Sequence, residues 1–175
     1  MHYRRTTIKG GTYFFTVNLA ERKNTLLVDE IDKLRLAFAK VKQKHPYKMD
    51  AVVILPDHLH ALWSLPENDH DYATRWSLIK ANFSRQIPRE ERISQSRQCK
   101  GERGIWQRRY WEHVIRNERD YETHVNYIHY NPVKHGYVTI ASDWAYSSIH
   151  GYIEKGIVSK SWGYDENGGD VYCGE

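Results

Sequence analysis

The sequence predicts an α+β domain, a ferredoxin-like antiparallel sheet with helices packed on one face. Extended and helical patterns follow one another in the order β-α-β-β-α-β-α, which closes into such a sheet. Two of the extended segments are separated only by Pro56-Asp57, a turn short enough to demand an antiparallel hairpin. No glycine-rich phosphate loop interrupts the series.

Residues 2–11 carry Arg4, Arg5 and Lys9 and end in Gly10-Gly11, a basic arm leading into a turn. Tyr13 to Leu19 is aromatic and β-branched, as a largely buried first strand requires. A basic loop, Glu21-Arg22-Lys23-Asn24, follows. From Asp29 to His45 the residues Ile31, Leu34, Phe38 and Val41 recur at helical spacing until Pro46 stops the helix. Its outer face holds Lys40, Lys42 and Lys44, which suit either a solvated surface or a nucleic-acid contact.

Met49 to Leu55 and His58 to Leu65 form the hairpin. Alternation on its second strand sends Leu59, Ala61, Trp63 and Leu65 to one face and His58, His60 and Leu62 to the other. Tyr72 to Ile87 is a second helix with Trp76, Ile79, Phe83 and Ile87 inward, ended by Pro88. Residues 84–109 then hold eight basic side chains against three acidic ones, either a solvated loop or a polyanion contact, with Trp106, Tyr110 and Trp111 next in line to stack on bases.

Tyr110 to Ile115 is a further strand, leading into a helix from Asn117 to Asn131 that has a capping residue and early acids. Tyr137 to Ile140 is a short extended piece and Tyr146 to Ile153 a last helical turn or two. After Gly156 the chain is glycine-rich and acidic, so residues 1–153 form the domain and 154–175 a poorly ordered tail.

Two of these segments carry candidate chemistry. Setting Tyr121 at zero, a step of about 100° per residue places Val125 at about 40° and Ile128 at about 340°, an apolar stripe toward the core. His124, Tyr127 and Asn131 fall at about 300°, 240° and 280°, a band beside that stripe, while Tyr130 at about 180° points away. Tyr127 thus shares a face with an amide one turn later and an imidazole one turn earlier. The bland alternative is a core-edge tyrosine and an asparagine that stops a helix.

His58 and His60, parallel on one strand face, suit adjacent positions around a divalent ion, and Asn131 offers an oxygen from the facing helix. Such a nitrogen and oxygen set, with positions left open, suits Mg²⁺ or Mn²⁺. The alternative is a pair of ordinary hydrogen-bonding histidines. With an ion to neutralise charge on a phosphodiester, attack by the Tyr127 hydroxyl yields a phosphotyrosine that stores the bond for a second transfer.

Composition narrows the setting. The hydrophobic fraction of 40% marks a globular rather than disordered chain, and the formal charge of +4 fits a polyanion partner. Two cysteines, Cys99 and Cys173, without regular spacing indicate a reducing compartment. No apolar run suits a membrane span and the N-terminus lacks a signal core, so the expected location is the cytoplasm.

The segments Tyr13 to Leu19, Pro56-Asp57-His58-Leu59-His60, Arg75 to Lys80, Arg109-Tyr110-Trp111-Glu112-His113 and Tyr127 to Gly136 together resemble a known family. The His-hydrophobic-His strand followed by a Tyr-x-x-x-Asn helix is similar to the single-tyrosine HUH transposases of the insertion-sequence 200/605 type. The full set more closely resembles the REP-associated tyrosine transposases. The resemblance implies a domesticated bacterial enzyme, working at the nucleoid, that binds and cuts single-stranded DNA beside hairpins of repetitive extragenic palindromes. It implies Tyr127 as nucleophile, leaving a 5′-phosphotyrosine and a 3′-hydroxyl, with His58 and His60 as metal ligands. Asn131 is the implied third ligand, where many insertion-sequence relatives have Gln. It also implies a monomer. Arg4, Arg5, Arg85, Arg89, Arg108 and Arg109 are the expected DNA path. A structure-specific binding module with little turnover, and a metal-dependent hydrolase using water, are the alternatives.

Overall fold

The computed structural model describes residues 7–164 of the 175-residue chain. Four strands form one antiparallel sheet: β1 (Thr12–Asn18), β2 (Lys48–Ile54), β3 (His58–Ser64) and β4 (Trp111–Val114), in the order β2-β3-β1-β4. That is the ferredoxin-like order expected from the sequence. Helices α1 (Leu26–Asp29), α2 (Ile31–Lys44), α3 (Tyr72–Arg85), α4 (Gln95–Gln98), α5 (Glu118–Lys134) and α6 (Ile149–Glu154), with a 3-10 turn at Ala141–Asp143, complete the described chain.

The two-residue period of the strands divides the core in two. Tyr13, Phe15, Val17, Leu59, Ala61 and Trp63 face α2 and α3, where Leu34, Ala37, Val41, Trp76, Ile79 and Phe83 meet them. Trp63 is sandwiched between Tyr47 and Trp76, with ring centroids 4.4 Å and 4.3 Å away. The opposite face carries Phe14, Ala51, Val53, Leu55 and Leu62, covered by Val125 and Ile128 of α5. The helices therefore lie on both faces rather than one: α2 and α3 take the expected side, and α5 takes the other. A helix sequence shows which of its own faces is apolar, but not which side of a sheet that face will meet.

Helix α5 begins where expected, with Asn117 Oδ1 accepting from the Asp120 N–H at 2.9 Å. It runs past the predicted stop at Asn131. Pro132 gives up one ladder bond, yet its φ suits a helix. The end is set instead by Gly136, whose φ of +71° allows a left-handed turn. There Gly136 N bonds Val133 O and Tyr137 N bonds Pro132 O, the Schellman closure.

Residues 137–140 form no strand; the segment that pairs with the sheet edge lies further on, where Ser148 N bonds Val52 O and Ile54 N bonds Tyr146 O. Residues 155–164 are not the loose tail that composition suggests. Ser142 Oγ donates to Lys160 O, Trp162 sits edge-on to His129, and Gly163 lies against the Tyr130 ring. Residues 165–175 fall outside the described part.

Two buried groups tie these layers together. Arg75, 2% exposed, donates to the carbonyls of His45 and Pro46 at the end of α2, to Asp71 O, and to Asp69. Replacing it by Met leaves four acceptors without their donor. Arg75→Met is expected to cost about 3 kcal/mol, a fall in Tm of roughly 10 °C by differential scanning calorimetry. Arg75→Lys, unable to reach all four, should recover less than half of that loss.

His129, fully buried on α5 beside Tyr152, bonds Ser148 Oγ through Nε2. Burial first, then nearby His150, pushes its pKa down to about 4. The unfolded chain protonates this ring at about 6.5, so between these values the unfolded state binds more protons. His129's contribution is therefore full above about pH 6.5 and is lost as pH falls toward 4, roughly 3 kcal/mol in all. Urea midpoints measured from pH 7 to pH 4 should fall more steeply for the wild type than for His129→Gln. Parallel curves would refute this assignment.

Candidate active site

The register of β3 fixes the site. Cα pairing sets His60 opposite Thr16 on one side and Val53 on the other, and His58 opposite Asn18. Both imidazoles are buried, 4% and 3% exposed, on the α5 side of the sheet, with ring centroids 5.1 Å apart. Each uses its Nδ1 within the protein: His58 meets Asp57 Oδ1 at 2.6 Å, and His60 meets Thr16 Oγ1 at 2.8 Å. Among the described residues His60 Nε2 has no partner, and the Nδ1 bond of each ring turns its Nε2 away from that partner, the arrangement of a histidine held to present its far nitrogen to a cation.

Burial, opposed by the bond to Asp57, lowers the pKa of His58; burial, reinforced by His58 itself, lowers that of His60 well below the ordinary range. Both rings therefore keep a lone pair near neutral pH. Arg22 Nε lies 2.5 Å from Asp57 Oδ2, so the carboxylate that orients His58 is itself held.

Helix α5 lies over this pair. The Tyr127 ring meets His60 at 5.1 Å between centroids, and His135, two turns further on, meets His58 at 5.2 Å. Asn131 sits midway between them on the same helix face. It is fully buried, and among the described residues neither Oδ1 nor Nδ2 has a hydrogen-bond partner; His60 Nε2 is likewise buried without one. An amide with both ends unsatisfied is costly in a dry interior, and so is a lone imidazole nitrogen. Orphan oxygen and nitrogen donors of this kind, on the helix and strand that face each other, fit a hard or borderline divalent cation. Lys134 Nζ lies 5.0 Å from the Tyr127 ring centroid, adding a positive charge beside the phenol.

His58, His60, Tyr127 and Asn131 are thus brought together. The basic residues are not. Arg85, Arg89 and Arg108 line a groove of about 940 Å³ between α3 and the 97–110 segment, on the sheet side opposite Tyr127. Arg108 there is engaged by Glu102 at 2.7 Å, and Arg109 is exposed just before β4. Arg4 and Arg5 lie outside the described residues. Much of the loop's charge holds the loop itself: Arg103 binds Glu91 and the carbonyls of Ser84, Ile87 and Pro88, and Arg97 binds those of Arg103 and Trp106.

Sequence reasoning did not single out His135, Lys134, Thr16, Arg22 or Asp57 as parts of the site. His135 had a signal, standing eight residues after Tyr127 on the same face; Arg22 had none. A second cluster was also unforeseen. His113, Asp120 and His124 bring ligand-type atoms within 4.8 Å of one another. The two rings, however, are stacked at 4.7 Å and 15°, so their in-plane lone pairs do not converge on one point. Asp120 instead pairs with both, at 2.9 Å and 3.1 Å.

Comparisons with known proteins establish the family. Residues 8–131 match the family described as "Transposase IS200 like". The chain is 45% identical over 163 residues to the REP-associated tyrosine transposase of Escherichia coli, covering 93% of this chain and 91% of that one. It is 47% identical, over 93% of both chains, to a Haemophilus influenzae relative provisionally given the same name. The solved structure of a REP-associated tyrosine transposase bound to a REP hairpin superposes with a TM-score of 0.82 at 43% identity, covering 100% of this chain and 97% of that one. The chain belongs to the IS200-like transposase family, as an enzyme of its REP-associated tyrosine transposase branch.

Proposed function

We propose that the chain is a metal-dependent single-strand DNA endonuclease and transesterase that binds REP-type hairpins and cleaves and rejoins the adjacent single strand through Tyr127. One observation carries the reading: the unsatisfied, fully buried amide of Asn131 stands between Tyr127 and His135 on α5, facing the imidazole pair of β3. A binding module has no need to strand such a group there. The hairpin partner is taken from the relative whose structure holds one.

In this reading His58 Nε2, His60 Nε2 and Asn131 Oδ1 hold Mg²⁺ or Mn²⁺, which when bound draws charge from the scissile phosphate. Tyr127 Oη gives up its proton to solvent as it attacks phosphorus, and the bond to the 3′ oxygen breaks. That oxygen leaves as a 3′-hydroxyl after taking a proton, and Tyr127 keeps the 5′-phosphate. Attack by a 3′-hydroxyl reverses the sequence and rejoins the strand. Asp57 and Thr16 keep the two imidazoles oriented, and Lys134 is placed to meet the phosphate. Tyr127 reaches His60 within one chain, so a monomer suffices. Arg85, Arg89, Arg108 and Arg109, with Arg4 and Arg5, are proposed to hold the backbone of the bound DNA, and the protein to act at the nucleoid in the cytoplasm.

A labelled hairpin oligonucleotide with single-stranded flanks, incubated with Mn²⁺ and run on a denaturing gel, should give a protein-sized covalent band. Tyr127→Phe should abolish that band while binding persists. Cleavage that survives in Tyr127→Phe would assign the reaction to water instead, and binding without cleavage would favour the module.

Metal binding has its own readout. Mn²⁺ at a hundredfold excess over its Kd adds about 2.7 kcal/mol, a rise of roughly 5–10 °C in Tm that EDTA reverses. The rise should vanish in His60→Ala and in Asn131→Leu. Asn131→Leu without metal should be at least as stable as the wild type, because it removes the orphan amide.

A further inference from the structure

The geometry points to Trp111 as a stacking platform for a nucleobase of the single strand next to the scissile phosphate. Three tests pick it out. Trp106 is buried and Tyr110 is packed among Phe15, Tyr72 and Trp76 on the far side of the sheet, so neither offers a ring face on the active side. Trp111 is 52% exposed. Its Cα pairs with Thr16, whose hydroxyl meets His60, so the indole stands on the same sheet face as the imidazole pair.

The ring is also pre-positioned. Phe14 touches it edge-on at 5.7 Å, and His113, two residues along β4, lies parallel to it at 5.9 Å and 3°. His113 is fixed in turn by Asp120, whose carboxylate also accepts from Arg116 N at 2.9 Å. Asp120, His124 and Tyr127 all belong to α5, so the element that fixes the platform also carries the nucleophile. Phe14 links the two, with ring contacts to Trp111, His60, His124 and Tyr127. An ordered ring loses little freedom when a base lands on it, and β4 is an edge strand, open on its outer side among the described residues. A half-exposed indole held this way serves nothing in the core, whereas an unpaired base has a π-face to offer it.

This inference rests on the proposed single-strand reading, and binding separates the two. Fluorescence anisotropy with a fluorescein-labelled hairpin, tailed or blunt, should show Trp111→Ala weakening the tailed probe by roughly 5- to 100-fold while leaving the blunt hairpin unchanged. Trp111→Tyr should restore most of the loss. An abasic scan of the tail should find one position whose removal weakens the wild type by a similar factor but costs Trp111→Ala nothing more. Circular dichroism melts should match throughout, since the residue is half-exposed. Equal affinity of wild type and Trp111→Ala for the tailed probe would overturn the platform alone. Failure of the wild type to prefer tailed over blunt hairpins would overturn the single-strand reading and the platform with it.

Discussion

The two-residue period of β3 is the constraint on which the rest depends. This strand is hydrogen-bonded on both sides, to β1 and β2, and all but its last residue are buried. Its odd-numbered residues, Leu59, Ala61 and Trp63, pack against α2 and α3, with Trp63 at the centre of an aromatic column, and its even-numbered ones carry two imidazoles and Leu62 toward α5. A slip of one residue would drive both histidines into the column and turn Trp63 toward the helix that bears Tyr127. The large rings on one face therefore secure the chemistry on the other. Tyr47, Trp76 and Phe15 around Trp63 leave the strand a single register, and that register sets Thr16 against His60.

Helix α5 runs antiparallel over β3 and grips the histidine pair from both ends. Tyr127 and His135 stand two turns apart, about 12 Å of rise, whereas His60 and His58 are about 6.7 Å apart along the strand. Tyr127 therefore meets His60 from one side and His135 meets His58 from the other, with Asn131 on the turn between them. The Schellman turn at Gly136 matters here because it keeps the last turn helical past Pro132. A helix ending at Asn131 would hold neither His135 nor Lys134 in place.

Much of this was legible in the sequence because it depends on local periodicity. The β3 alternation, the Asn117 cap, the stripe through Val125 and Ile128, and the band holding Tyr127 and Asn131 all follow from residues a few positions apart. What was not legible depends on partners far apart in the chain. The side of the sheet that α5 covers, the Arg22 clamp on Asp57 and the docking of Trp162 on His129 have no local signature. Charge counting failed for the same reason: Arg97 and Arg103 were counted in the basic 84–109 stretch, yet their guanidinium groups are occupied by backbone carbonyls and a carboxylate.

The division of labour between the two sheet faces has a consequence for how a nucleic acid would lie. Exposed Arg85 and Arg89 border a groove beside α3, whereas Tyr127 stands on α5, with the sheet between. The β2 edge is closed by the strand-like segment around Ser147 and Ser148. The β4 edge has no such cover among the described residues. A substrate that is duplex in one part and single-stranded in another can engage both faces only by passing round that open edge. There Arg109 precedes β4 and Trp111 opens it, a cation and then a ring. In the proposed function, the short edge strand is thus where backbone attraction gives way to base contact, and the sheet separates the surface that would hold the DNA from the residues that would cut it.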